Sequence, residues 1–280
     1  MTVATTPPFS DRIAFIGGGN MASAIIGGLL RQGVPVSHID VVEPWAEARA
    51  ALQKSFGITA LEQPGAALAR ANLVVWAVKP QTFKDAALQT AAHTPNALHL
   101  SVAAGIRSDS IAQWLGTDRV VRAMPNTPAL VGKGMTGLFA RPGVSDAQRQ
   151  LVEQVVATTG EHLWVDKEPL LDAVTAISGS GPAYVFYFLE AMTQAGVDMG
   201  LTAEQAHALS VGTFVGASEL ARRSDESPAV LRQRVTSKGG TTHAAIESMQ
   251  QAGVGPLYQK ALRAAEARAR ELGDEFGSAA

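Results

Sequence analysis

Residues Ile16-Gly17-Gly18-Gly19-Asn20-Met21-Ala22 carry the spacing G-x-G-x-x-A. In that pattern Gly17 permits a tight turn, Gly19 lets a pyrophosphate approach the backbone, and Ala22 lets the following helix pack closely on the strand. Phosphates placed there meet free N–H groups at the positive end of a helix. The spacing alone is weak evidence. Here it follows an apolar strand, opens a helix and begins an alternating β/α region, which is the context that gives it meaning. The expected ligand is a nicotinamide dinucleotide, and the chemistry is hydride transfer.

Other residues fall where such a ligand would lie. Glu43 closes the second predicted strand. An acid there can accept hydrogen bonds from ribose hydroxyls and favours NAD, whereas an NADP site usually places a cation there. Arg49 lies nearby on the next helix, and Glu43 also reads as a solvated residue before Pro44. The loops Val78-Lys79-Pro80-Gln81, Ala103-Ala104-Gly105 and Met124-Pro125-Asn126-Thr127-Pro128 leave the carboxyl ends of later strands, so they line the same crevice. Lys79 is placed either to contact phosphate or ribose, or to cap a strand end. Asn126 stands between two prolines in a stiff loop, suited to an amide–nicotinamide hydrogen bond or to a rigid turn.

A second turn, Ser237-Lys238-Gly239-Gly240-Thr241-Thr242, feeds a helix near His243. It offers an anion site away from the pyrophosphate, and a small substrate carboxylate is its natural occupant; an ordinary helix cap is the alternative. Two-domain hydroxyacid dehydrogenases commonly place a catalytic lysine on the long helix opening the second domain, yet residues 169–237 contain no lysine. A substrate needing little acid catalysis therefore fits better than a ketone, and a cyclic imine arriving protonated qualifies. The intact second turn speaks against a non-catalytic dinucleotide sensor. The six histidines show no metal-ligand spacing, and no catalytic metal is expected.

The elements that must hold these residues are legible as β/α alternation. Strands are predicted at 12–16, 39–43, 73–78, 98–102, 120–123, 136–140 and 162–165. Helices are predicted at 20–32, 46–56, 81–92 and 109–115, with another capped by Ser145 and ending before Gly160. This is a doubly wound α/β sheet. Beyond Asp166–Pro169 only helical periods remain, at 172–196, 202–223, 227–235, 242–251 and 256–272. Thr202 with Gln205 reads as a capping box, and Ser227-Pro228 as an N-cap followed by proline. The chain thus divides into a Rossmann-like dinucleotide-binding domain over 1–166 and an all-α substrate-binding and dimerisation domain over 167–280.

With 280 residues, 46% hydrophobic and 17% charged, the chain can fill two cores. A net charge of −2 and no basic patch exclude nucleic acid as a partner. The absence of cysteine excludes disulfides, thiolate metal sites and a cysteine nucleophile. Met1–Ser10 has no export signature and reads as a short disordered lead-in, so a cytoplasmic location is expected. The uncharged run Ala173–Leu189 is interrupted by Ser178-Gly179-Ser180-Gly181-Pro182. It reads as a buried helix and not a membrane span. Its apolar cluster Tyr184–Leu189 needs cover on every face, which predicts a homodimer built through the helical domain.

The chain resembles the pyrroline-5-carboxylate reductases over residues 12–272. The resemblance is carried by IGGGNMASAIIGGL (16–29), AVKPQ (77–81), MPNTPA (124–129), DAVTAISGSGPAYVF (172–186) and VTSKGGTTHAAIE (235–247), the last two together being specific to the family. It implies an NADPH- or NADH-dependent reduction of the cyclic imine to L-proline, the last step of proline biosynthesis. It implies cofactor contacts at Gly17, Gly18, Gly19, Asn20, Met21, Val78, Lys79, Pro80, Ala103, Ala104, Gly105 and Asn126. It implies that Ser237, Gly239, Gly240, Thr241 and Thr242 hold the substrate, with Thr242 orienting the ring nitrogen. It also implies an interlocked dimer, often assembled into a decamer. Lys238 departs from the family's usual proline, which leaves that turn less rigid. Glu43 departs from the family's usual NADPH preference and predicts more use of NADH than is typical.

Overall fold

The computed structural model describes residues 11–277; the lead-in expected at 1–10 lies outside them. Seven strands form one sheet: β1 (Ile13–Ile16), β2 (Ile39–Val42), β3 (Leu73–Trp76), β4 (Leu98–Ser101), β5 (Val120–Met124), β6 (Gly134–Ala140) and β7 (Gly160–Trp164). Their order is β2-β1-β3-β4-β5-β6-β7. The first five run parallel, β6 is antiparallel to β5, and β7 is a parallel edge strand beside β6. The order reverses direction at β1, so the crevice outside the carboxyl ends of β1 and β3 is the switch point where doubly wound sheets bind ligands.

Helices α1 (Asn20–Arg31), α2 (Ala46–Phe56), α3 (Pro80–Thr90), α4 (Ser108–Leu115) and α5 (Asp146–Val156) cover the sheet. Alternate strand residues serve its two faces. Ile13, Phe15, Val75 and Leu100 join Ile25, Ile26 and Leu29 of α1 on one side. Ala14, Ile16, Val74 and Trp76 join Phe83, Ile111 and Leu115 on the other. This two-sided burial is why the strands read as continuous apolar runs. Local signals fix the helix ends. Gly57 stops α2 in the left-handed conformation (φ 71°), as a helix C-terminus favours. Ser145 and Gln148 form a reciprocal capping box on α5.

After β7 come only helices among the described residues: α6 (Leu170–Val174), α7 (Gly181–Asp198), α8 (Ala203–Arg223), α9 (Pro228–Arg234), α10 (Thr241–Gln251) and α11 (Val254–Gly277). The Thr202–Gln205 capping box and the Ser227 cap are both formed. The single helix predicted over 172–196 is broken. A π turn spans Thr175–Gly179, closed by the Ser180 N–H donating to the Thr175 carbonyl at 2.8 Å. Pro182 is the cause: it has no N–H to give the Ser178 carbonyl, and its ring crowds the carbonyl four residues back.

Packing divides the chain at this break. One compact unit runs up to Ser180 and includes the chain from Ala265 on; the other is Gly181–Ala264. The helical pattern therefore begins after 166, but α6 and the π turn pack with the first unit. Leu171 and Asp172 are buried, and Val174 lies so close to Gly137 that a Cβ there would sit 2.7 Å from its Cγ1. In the second unit α7 has no buried residue, so the buried helix expected at Ala173–Leu189 is not buried by its own chain. Phe186 and Tyr187 are 64% and 70% exposed. Tyr258 meets Tyr184 and Phe188 edge-on at 6.0 and 5.5 Å between ring centres. Among the described residues no helix is long and apolar enough to cross a membrane.

Candidate active site

The first unit brings together most of the residues expected to hold a dinucleotide. Gly17–Met21 follow β1, Glu43 follows β2, Val78–Pro80 follow β3, Ala103–Gly105 follow β4 and Asn126 follows β5. The five strands are parallel, so these loops share one edge. Gly17 has φ 95°, and a Cβ there would lie 2.6 Å from the Ala77 carbonyl oxygen; only glycine fits. Gly19 is the N-cap of α1, with no side-chain cap and no acid in the first turn. Nothing lies within 4 Å of where its Cβ would be. The first N–H groups of a helix lack intrahelical partners. An uncapped, unobstructed helix start with no acid in its own first turn fits a pyrophosphate. Asn20 and Lys79 are exposed beside it, Met21, Val78 and Pro80 half-buried.

Glu43 is not a solvated strand-end residue. It is 6% exposed, and its Oε2 accepts the Gly18 N–H at 2.7 Å while Oε1 accepts the Trp45 N–H at 2.9 Å. A Cβ on Gly18 would lie 2.6 Å from the terminal methyl Cδ1 of Leu52, so a larger residue there requires the Leu52 side chain to shift. Arg49 donates to the carbonyls of Glu43 (3.0 Å) and Pro44 (2.6 Å) and lies 3.4 Å from Glu62.

The side chain of Asn126 is engaged within the protein. Its Nδ2 donates to the carbonyl and hydroxyl of Ser178, both at 3.2 Å, and its Oδ1 accepts the Met135 N–H at 2.9 Å. Asn126 thus supplies the donor that Pro182 withholds from the Ser178 carbonyl. The amide–nicotinamide bond considered above has to compete with these partners, and the rigid-turn reading describes the side chain seen here.

The Ala103–Gly105 loop is held from behind. Gly105 takes φ 76°, with Leu272 and Phe276 of α11 each 3.2 Å from where its Cβ would be. Beyond it Arg107 forms a two-point ion pair with Asp172 (3.1 and 3.0 Å). Glu168 accepts from the Ser108 N–H, the Ser108 hydroxyl and Arg122 at 2.5 to 2.7 Å. Arg122 is buried, and burial lowers its pKa although Glu168 opposes the shift.

The second unit holds the turn Ser237–Thr242. The Gly240 N–H donates to the Ser237 carbonyl at 3.0 Å. Gly239 has φ 75°, a conformation that glycine adopts without strain. Gly240 is the N-cap of α10, again without a side-chain cap. Ser237, Lys238, Gly239, Thr241 and Thr242 are exposed and Gly240 half-buried. His243 faces Glu247 one turn on, at 3.9 Å. Free N–H groups and threonine hydroxyls at a helix start can bind a carboxylate without a cation.

Residues 168–272 match a family model described as pyrroline-5-carboxylate reductase dimerisation, and residues 12–105 one described as NADP oxidoreductase, coenzyme F420-dependent. A Pseudomonas aeruginosa protein named pyrroline-5-carboxylate reductase is 48% identical over 96% of this chain and 99% of its own length. The chain belongs to the pyrroline-5-carboxylate reductase family. A solved pyrroline-5-carboxylate reductase from Coxiella burnetii superposes with a TM-score of 0.89 at 37% identity, covering 94% of this chain and 99% of that one. The Plasmodium falciparum pyrroline carboxylate reductase, solved with NADP bound, gives 0.84 at 26% identity over 95% and 99%. The dimerisation match begins at Glu168 and so takes in Glu168 and Asp172, the acids that hold Arg107 and Ser108. Those two acids and Ser178 were not singled out by sequence reasoning. Ser178 could have been, because Pro182 four residues later leaves its carbonyl without a helical partner.

Proposed function

We propose that the chain reduces the cyclic imine of pyrroline-5-carboxylate to L-proline, with NADPH or NADH as the reductant. The observation that carries this reading is 48% identity over nearly the whole length of a protein of that name, with both uncapped helix starts intact. The dinucleotide supplies the hydride. The uncapped start of α1, with Gly17, Gly19, Asn20 and Met21, holds its pyrophosphate, and Val78, Lys79, Pro80, Ala103, Ala104 and Gly105 line its path. Ser237, Gly239, Gly240, Thr241 and Thr242 hold the substrate carboxylate on backbone N–H groups and hydroxyls. Thr242 hydrogen-bonds the ring nitrogen and presents the imine carbon. The imine nitrogen arrives protonated, the C=N electron pair moves onto it as the C–H bond forms, and the product is the secondary amine. No protein acid is required, in keeping with a helical region that has no lysine from 169 to 237. Orientation then supplies most of the rate.

The bare faces of α7 and α8 and the dimerisation match support a homodimer, and we propose further assembly to a decamer and a cytoplasmic location on the family resemblance. The test is oxidation of NADPH or NADH on adding pyrroline-5-carboxylate, with proline identified as product. No turnover with either dinucleotide overturns the reading, and unaltered kinetics in Thr242→Ala removes Thr242 from it.

A further inference from the structure

The adenosine end of the crevice carries a feature that the proposed reaction leaves unused. Glu43 stands 24 residues after Gly19, immediately beyond β2, where a doubly wound fold meets the ribose next to the adenine. Its two oxygens each accept one backbone N–H, from Gly18 and from Trp45. These bonds fix the carboxylate against the phosphate-binding turn itself. A carboxylate offers about four acceptor positions, so two are left, and a ribose 2′-hydroxyl can donate to one of them. A 2′-phosphate cannot donate, and would bring its own negative charge against a carboxylate only 6% exposed.

The cation that would compensate is drawn elsewhere. Arg49 spends its guanidinium on the carbonyls of Glu43 and Pro44 and on Glu62. The first turn of α2 adds another acid, Glu47. Trp45, the residue after Pro44, is 72% exposed and gives an apolar surface where a phosphate needs donors.

We infer that this chain takes NADH in preference to NADPH, and that Glu43 is the residue that sets the preference. The inference rests on the dinucleotide reading given above but not on the identity of the imine. Glu43 has two tasks in one carboxylate: it holds Gly18 in place and it selects against the 2′-phosphate.

The test is equilibrium titration of the purified protein with NADH and with NADPH, followed by nicotinamide fluorescence without imine substrate. The expected result is a Kd for NADPH at least tenfold above that for NADH. In Glu43→Gln, which keeps one carbonyl acceptor for the Gly18 N–H, that ratio should shrink at least fivefold. Wild-type protein that binds NADPH as tightly as NADH, or more tightly, overturns the inference whatever the variant does. A discriminating wild type with an unchanged ratio in Glu43→Gln and in Glu43→Ser removes Glu43 as the determinant. If Glu43→Gln does not fold, Glu43→Asp is the substitute; it keeps the charge and must keep the preference. Binding of neither dinucleotide overturns this inference and the dinucleotide reading together, whereas failure to turn over pyrroline-5-carboxylate leaves the binding ratio intact.

Discussion

Asn126 shows what one side chain does at the edge of the crevice. It lies on a stiff loop between two prolines, and the sequence allowed either a ligand contact or an internal tie. Its amide is tied to Ser178 and Met135, and the reason lies 56 residues away in Pro182, which leaves the Ser178 carbonyl short of a donor. Leaving a partly buried acceptor and donor unpaired costs about 1–3 kcal/mol. Asn126→Ala should therefore lower stability by roughly that amount. Asn126→Asp should be no better, because it keeps the acceptor for Met135 but sets a carboxylate oxygen against the Ser178 carbonyl. Ser178→Ala, which removes only the hydroxyl, should cost less than about 1 kcal/mol. Urea unfolding of the three variants checks the order; a Ser178→Ala protein weaker than Asn126→Ala contradicts the assignment. Such ties were not legible in advance. A glycine spacing or a capping box is a local pattern, whereas Asn126 and Ser178 meet only once the chain has folded. Glu43 is the intermediate case: its place at the strand end was readable, its grip on Gly18 was not.

At the scale of elements most of the fold is legible in the sequence, because apolar runs, caps and glycine stops are local signals. The exception is the helix over 172–196, where periodicity carries through a break that only the missing proline donor reveals. The two glycines inside α1 separate into different roles. A Cβ on Gly27 would meet only the end of the Arg31 side chain at 3.3 Å and the Phe56 ring at 3.5 Å. On Gly28 it would lie 2.5 Å from the Thr158 hydroxyl and 2.7 Å from the Thr158 carbonyl oxygen. Gly27→Ala should thus be neutral or stabilise by up to about 1 kcal/mol through helix propensity. Gly28→Ala should destabilise by roughly 1–3 kcal/mol through overpacking. Equal effects in thermal unfolding would refute the distinction. The sheet carries a pH dependence of its own. His99 of β4 is buried, its Nδ1 accepts the Trp76 Nε1–H at 3.2 Å, and desolvation, aided by Arg119, lowers its pKa from 6.5 to about 4. The unfolded chain takes up this proton near pH 6.5 and the folded chain does not until about pH 4. Stability is therefore full above pH 6.5 and falls by about 3 kcal/mol as the pH drops to 4. His99→Gln, which can still accept from Trp76, should flatten the urea midpoint between those limits while lowering it at neutral pH. An unchanged slope would place the acid sensitivity in other groups.

At the scale of the whole molecule, the helical region asks for something a single chain does not supply. Phe186 and Tyr187 of α7 and Val215 and Leu220 of α8 are each 64% or more exposed. Soluble monomers seldom leave so many large apolar side chains bare on neighbouring helices. The demand is legible in the sequence, since an all-apolar helix in a short helical domain cannot be covered locally. What it could not show is which side chains remain bare once α7, α8 and α11 have packed, because that depends on tertiary contacts such as those of Tyr258 with Tyr184 and Phe188. A two-fold interface uses the same patch twice. Covering one aromatic side chain is worth about 2 kcal/mol, so Phe186→Asp removes about 4 kcal/mol per dimer, or nearly a thousandfold in Kd. Because Phe186 is mostly solvent-exposed in the chain, the same change should leave the fold of each subunit largely intact. Sedimentation equilibrium across a micromolar concentration series checks both statements. The wild type should be associated throughout, and Phe186→Asp should dissociate within the range while keeping its helical circular dichroism. A wild type that sediments as a monomer there would refute association through these faces, and loss of helicity in the variant would make Phe186 part of the subunit's own core.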